Sequence, residues 1–259
     1  MIEINELTRI AKLKGITNRG YAEKDYLQEI LLLSLSVNTK NELVFKGGTC
    51  LYKFYNLDRF SEYLDFSCVK EFNPDRLIKK VIDDMGLFGM KAKVAGKRET
   101  INSVLLSLKV SGLLYKGTAQ SACKIRLDIN LKSEVTFPEL RRFSSLYPDI
   151  PGFSILVMKE QEILAEKIRA IMTRTRARDV YDLWFLLKKG TETDPVLIRE
   201  KLNYYNIEWN LNEFGRKLDA CEGIWRTELS ALVKDPGNFS DTKENIIRLL
   251  KAKDDRIEN

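Results

Sequence analysis

The chain contains no histidine in its 259 residues. That absence excludes a Ser-His-Asp triad, a Cys-His pair, a His-ligated zinc and a histidine general base. Chemistry must therefore run on carboxylates, lysine, hydroxyls, thiols or a metal held by oxygen. Cysteine is scarce: the four are Cys50, Cys68, Cys123 and Cys221. None are spaced as CxxC, which leaves out a zinc ribbon or a thioredoxin-type pair, and each reads as a small buried hydrophobe. Without a disulfide-dense pattern or a signal peptide, a reducing cytoplasm is expected. The most apolar run, Ile30 to Val37, is broken by serines and far shorter than the ~18 residues of a membrane span. No membrane partner is expected. Repeats and Pro- or Gly-rich linkers are missing too.

What is present is a globular composition, 44% hydrophobic and 31% charged. A 30.0 kDa chain holds one large domain or two small ones. The formal charge of +6 permits a polyanionic partner without demanding one. Helices are predicted over 4–14 and 21–38. In the second, Tyr26, Ile30, Leu33 and Val37 recur at helical spacing, with Leu31, Leu32 and Leu35 widening the stripe. Such a stripe marks a core helix or one shared with a partner. From 43 to about 157 the pattern is mixed. Leu43-Val44-Phe45 leads into Gly47-Gly48-Thr49 and a helix to Leu57; Leu64–Val69 reads as a strand, and Pro74 opens a helix. Strands are predicted over 89–95 and 101–112, joined by a turn around Gly96. Lys124–Lys132 alternates strictly, with Ile125, Leu127, Ile129 and Leu131 opposite Lys124, Arg126, Asp128 and Asn130. Residues 154–158 suggest another short strand. Helices follow over 160–173, 178–189, 195–205, 211–221, 225–233 and 240–252, then a solvated tail. The expected architecture is α+β, a mixed sheet with flanking helices over 1–158 followed by an all-helical region over 159–259.

Four constellations carry candidate chemistry. Gly47-Gly48-Thr49, between a strand and a helix, allows a sharp turn and a close approach, and the helix start suits phosphate. An ordinary strand-to-helix turn explains a bare GG equally well, and the Walker A spacing is absent. In Arg59-Phe60-Ser61-Glu62-Tyr63-Leu64-Asp65-Phe66, Ser61, Tyr63 and Asp65 share one face of a strand. Asp65 and Asp128 are displayed on strands, and two such carboxylates suit Mg²⁺. Lys167 has apolar neighbours Ile163, Leu164, Ala170 and Ile171 at helical spacing; it either snorkels or meets a phosphate or carboxylate. Asp179 and Asp182, at i and i+3, share a helix face behind Arg174, Arg176 and Arg178. On spacing alone, Asp179 reads as a helix-start cap with surface ion pairs.

Taken in order, Phe45–Leu51, Arg59–Phe66, Leu127-Asp128-Ile129, Glu162–Lys167 and Arg178–Leu183 resemble the AbiEii-type nucleotidyltransferase toxins of the polymerase-β-like superfamily. The resemblance implies a mixed sheet with a helical C-terminal region. It implies Mg²⁺-dependent transfer of a nucleotide from an NTP to an acceptor, RNA and most simply tRNA, by a protein paired with an antitoxin. By position, Gly47, Gly48 and Thr49 would cradle the triphosphate, and Arg59 and Ser61 would contact phosphate. Asp65 and Asp128 would bind metal, Lys167 would sit near the phosphates, and Asp182 would be a supporting or catalytic carboxylate. Phosphoryl-type transfer needs positioning and charge neutralisation, which a histidine-free site supplies. The sequence departs from the family at Tyr63, where the first acid of an Asp-x-Asp pair belongs. Three readings follow: a site with one strong metal, a catalytically inactive nucleotide- or RNA-binding protein of the same fold, or a disarmed toxin.

Overall fold

The computed structural model describes residues 2–132 and 135–251, in two compact units. The first comprises Met1–Cys50 and Phe60–Met158, the second Leu51–Arg59 and Lys159–Asn259. In chain order the elements are α1 (Ile4–Leu13), α2 (Arg19–Asn38), β1 (Leu43–Lys46), α3 (Gly47–Phe54), β2 (Tyr63–Cys68), α4 (Pro74–Leu87), β3 (Lys91–Glu99), β4 (Ser103–Ser111), β5 (Cys123–Asn130), β6 (Pro138–Phe143) and β7 (Phe153–Met158). Helices α5 (Glu160–Thr173), α6 (Ala177–Lys189), α7 (Pro195–Asn203), α8 (Leu211–Asp219), α9 (Trp225–Leu229) and α10 (Phe239–Lys251) follow. Of the solvated helix end and tail expected over Lys251–Arg256, everything from Ala252 onward lies outside the described residues.

The first unit is built on a seven-stranded mixed sheet of order β3-β4-β5-β2-β1-β7-β6. β2 with β5 and β1 with β7 are parallel, and the other neighbours are antiparallel. Alternation in β4 and β5 turns Val104, Leu106, Leu127 and Ile129 to a crevice shared with Leu35 of α2 and Leu77 and Val81 of α4. The same alternation leaves Leu105, Lys124, Arg126 and Asp128 exposed on the opposite face. Helix α2 is a core helix, buried nearly all round, with Tyr26, Leu27, Ile30, Leu31 and Leu32 at its centre. Its buried seam differs from the predicted one: Leu33 is half-buried and Val37 is 73% exposed. Two buried acids of α2, Asp25 and Glu29, are paired. Lys14 Nζ reaches Asp25 at 2.6 Å and Glu29 at 2.5 Å, and Tyr147 Oη donates to Asp25 at 2.8 Å. Such pairing is what makes burying a carboxylate tolerable.

Three local expectations are corrected. Gly96 is not a hairpin turn: β3 runs through it with a bulge between Val94 and Gly96, and the chain turns at residues 100–102. β6 has no counterpart in the predicted elements. It is an outer strand that begins with proline, the position where a missing N–H is tolerated. Of the cysteines, Cys50 and Cys221 are buried, but Cys68 and Cys123 are half-buried.

In the second unit, Leu51–Arg59 folds with the C-terminal helices. Tyr181 Oη donates to Asp58 at 2.9 Å, and Lys189 Nζ donates to the Tyr55 carbonyl at 3.2 Å. Helix α6 ends at Gly190, whose φ of 85° is the left-handed conformation a helix terminator needs. Glu162, fully buried on α5, is paired with Lys201 of α7 at 2.6 Å. Trp225 fills the space beside Tyr181 and Phe239 and donates its indole N–H to the Gly237 carbonyl.

Candidate functional site

The candidate residues fall into one cluster in each unit. In the first, β1 ends at Lys46 and α3 begins at Gly47 without an intervening loop. Gly47 makes this junction possible. Its φ is +73°, and a Cβ there would lie 2.5 Å from Oδ2 of Asp65. The missing side chain therefore admits both the backbone bend and the Asp65 carboxylate. The N–H groups of Gly47, Gly48 and Thr49 open the helix, where no intrahelical acceptor exists and the dipole end is positive. The Thr49 hydroxyl, fully buried, donates to Ser61 Oγ at 2.8 Å and contacts the Tyr63 carbonyl oxygen. Thr49 and Ser61 thus fasten the start of α3 to the entry of β2.

Register places the acids together. Lys46 is the cross-strand partner of Asp65, and Asp65 is the partner of Asp128. Ladder partners share a face, about 4.8 Å apart on neighbouring strands. Asp65 is half-buried and Asp128 exposed. In the adjoining row Tyr63 is opposite Arg126. Arg126 Nη1 donates to Tyr63 Oη at 2.8 Å, and its guanidinium carbon lies 5.2 Å from the ring centroid. Among the described residues, no group of three or more His, Cys, Asp or Glu is placed to hold a metal ion. The pair Asp65 and Asp128 nevertheless fits Mg²⁺ chemically, because that ion is commonly held by one or two carboxylates, waters and substrate phosphates.

The second cluster is a buried chain of charges within the helical unit. Arg59 donates from Nε to Asp182 Oδ1 and from Nη2 to Asp182 Oδ2, each at 2.7 Å. Lys167 Nζ meets Asp182 Oδ2 and Asp179 Oδ1, also at 2.7 Å. Arg174 Nε closes the series on Asp179 at 2.9 Å. Three cations therefore face two carboxylates. The helical spacing placed Asp179 and Asp182 on one face correctly, but the cap reading of Asp179 fails. The N-cap of α6 is Arg176, without a side-chain cap bond, and Asp179 is buried in ion pairs. Lys167 does not snorkel either; it is 8% exposed and held by both acids.

Burial and charge oppose each other throughout this cluster. Burial pushes the Asp179 carboxyl up, but Lys167 and Arg174 outweigh it and hold the group well below the usual carboxylate range. Burial likewise lowers Lys167, and Asp179 and Asp182 more than restore it, against repulsion from Arg59. Arg59 is raised for the same reason, its burial offset chiefly by Asp182. Asp179, Lys167 and Arg59 are thus held in their charged forms at neutral pH.

Gly47, Gly48, Thr49, Ser61, Asp65 and Asp128 are thereby gathered in the sheet unit, and Arg59, Lys167 and Asp182 in the helical one. Lys46, Arg126 and Arg174 are the additions. Alternation in 124–132 put Arg126 and Asp128 on one face, yet nothing local announces Tyr63 as Arg126's neighbour.

The sequence profile of the family described as "Nucleotidyl transferase AbiEii toxin, Type IV TA system" matches residues 31–250. No curated protein matches the chain. Among solved structures, the nucleotidyltransferase toxin MenT4 from Mycobacterium tuberculosis H37Rv is similar with a TM-score of 0.64 at 21% identity, covering 94% of this chain and 87% of that one. JHP933 from Helicobacter pylori is similar with a TM-score of 0.63 at 19% identity, covering 92% and 93%. These likenesses show a shared fold.

Proposed function

The chain belongs to the AbiEii family of nucleotidyltransferase toxins, and from that premise we propose that it transfers a nucleotide from an NTP to RNA, specifically tRNA, with Mg²⁺. Membership itself implies a nucleotide substrate and an antitoxin partner, and members generally use a divalent metal. Among the described residues no helix is long and apolar enough to cross a membrane, and we assign the protein to the cytoplasm. Residues 1–158 are proposed as the transferase domain and 159–259 as the helical domain, with 51–59 folding alongside the latter.

The observation that carries the reading is the cross-strand pairing of Asp65 with Asp128 beside Gly47. In the proposed reaction an acceptor hydroxyl of the RNA attacks the α-phosphorus of the NTP. The bond from that phosphorus to the β-phosphate bridging oxygen breaks, pyrophosphate leaves, and the hydroxyl proton goes to solvent. Asp65 and Asp128 would hold the ion, which would supply charge neutralisation of the phosphate oxygens. The first-turn N–H groups of Gly47, Gly48 and Thr49 bind phosphate. By the family resemblance Arg59 and Ser61 are also assigned to phosphate; Arg59 is held by Asp182 and Ser61 by Thr49. By the family resemblance Lys167 is assigned to phosphate; two of its three donors are directed to Asp179 and Asp182. Asp182 is a positioning residue that acts through Lys167 and Arg59.

Tyr63 makes this a site with one strong metal. A phenol stands where the resemblance puts the first acid, and Arg126 donates to its oxygen. Restoring the acid, Tyr63→Asp, should raise transfer of label from α-³²P NTPs to tRNA by about 10–100-fold at limiting Mg²⁺, the range associated with altered metal support. If neither chain labels any RNA while both remain folded, the transferase reading fails. The Tyr63–Arg126 pair also favours a second reading, an inactive nucleotide-binding protein. Saturable NTP binding without turnover, unchanged by removing Mg²⁺, is the outcome that would establish it.

A further inference from the structure

The sheet of the first unit carries a basic row that neither the fold nor the transfer chemistry uses. Lys93, Lys109 and Lys124 are direct cross-strand partners on β3, β4 and β5. Their ammonium groups therefore line up across one face. Moving along β5 toward the acids, Arg126 occupies the next outward position before Asp128. Lys93, Lys124 and Arg126 are exposed and Lys109 half-buried. Among the described residues, no ion pair reaches the three lysines, whereas Lys97, on the other side of β3, is paired with Asp75 and Glu99.

Like charges directly opposite one another weaken a sheet. Edge protection accounts for lysine on β3, an outer strand. It does not account for Lys109 and Lys124, because β4 and β5 are inner strands. A row of uncompensated charge implies that the counter-charge comes from outside. Protein interfaces are depleted in lysine and built on aromatic or aliphatic anchors. The neighbours of Lys109 along its strand face are instead Ser107 and Ser111. Evenly spaced cations flanked by serines suit a phosphate backbone, whose affinity is mainly electrostatic.

We propose that the Lys93–Lys109–Lys124 row is the docking track for the phosphate backbone of the RNA acceptor. The inference rests on the proposed acceptor being RNA. Lys124 precedes Asp128 by four residues, about 13 Å along β5. An RNA engaged at Asp65 and Asp128 therefore meets Arg126 and then the lysine row on the same face.

The test uses the full chain and its Lys93→Thr/Lys109→Thr/Lys124→Thr variant, titrated with fluorescein-labelled 20-mer oligouridylate over a range of salt concentrations. Each single-strand phosphate contact contributes about 0.7 to the slope of log affinity against log salt. Loss of three should reduce that slope by about 2, roughly 100-fold in affinity at 0.1 M salt when the two chains converge near 1 M. NTP affinity should be unchanged and the melting temperature should not fall, since opposed like charges have been removed. An unchanged slope and affinity would overturn the proposal. So would polyglutamate binding the row while oligouridylate does not, which would point to an acidic protein partner. Labelled nucleotide transferred equally well to RNA by both chains, with equal RNA affinity, sinks the docking track and leaves the transferase reading intact. Row-dependent RNA binding without any transfer does the reverse.

Discussion

Gly47 and Tyr63 show how much single side chains decide here. At Gly47 two demands coincide, a left-handed backbone and room for Asp65 Oδ2. Gly47→Ala meets both penalties: about 1–2 kcal/mol for the conformation, and displacement of the Asp65 carboxylate that a Cβ would meet. Expected together are a lowered melting temperature and divalent-ion affinity weakened by about 10–100-fold. Calorimetric titration with Mn²⁺ reads the second effect, and unchanged affinity would dissociate Gly47 from the metal role assigned to Asp65. Tyr63 is the opposite case, a residue whose meaning depends on a neighbour. Tyr63 lies two residues before Asp65 in the sequence, and only the register shows that Arg126 faces it.

Among elements, legibility followed the range of the signal. Helix α5 spans the predicted 160–173 because its apolar spacing is purely local. The β5 alternation was equally plain, as was Pro74 opening α4. β6, Pro-Glu-Leu-Arg-Arg-Phe, lacks alternating polarity because it is an outer strand with five of its six residues not buried. Gly96 looked like a turn because bulge and turn use the same residue. The α5–α6 charge cluster was half legible: spacing gave the shared face of Asp179 and Asp182, but their partner Arg59 is 123 positions from Asp182. That cluster has a pH signature. Asp179 is held below its ordinary 3.8, so its contribution is present above about pH 4 and is lost as pH falls through the lower folded value. Lys167 is raised above its ordinary 10.5 and Arg59 above its own still higher value, so their contributions are fully present below those values and are lost only as pH rises through the folded ones. Asp179→Asn should lower stability by about 3–5 kcal/mol at pH 7, the usual effect of breaking a buried pair. It should also flatten the acid limb below pH 4 in thermal melts. A variant with the parent's acid limb would contradict the assignment.

For the whole molecule, the resemblance read from five short segments proved to mark membership of the AbiEii family, and the mixed sheet with flanking helices is the fold of MenT4 and JHP933. The chemistry was less visible than the fold, because cross-strand register cannot be read from one strand at a time. The charge of +6 is also more informative in three dimensions than as a sum. Part of it forms one row on the sheet of the first unit. The absence of histidine keeps its meaning, since every role assigned above falls to a carboxylate, a cation, a hydroxyl or a backbone N–H. The most direct measurement is a Mn²⁺ titration of the chain saturated with a non-hydrolysable NTP, followed by electron paramagnetic resonance. One bound ion is expected, weakened at least about tenfold by Asp65→Asn and equally by Asp128→Asn. Undiminished Mn²⁺ binding in the folded Asp128→Asn chain would contradict the account.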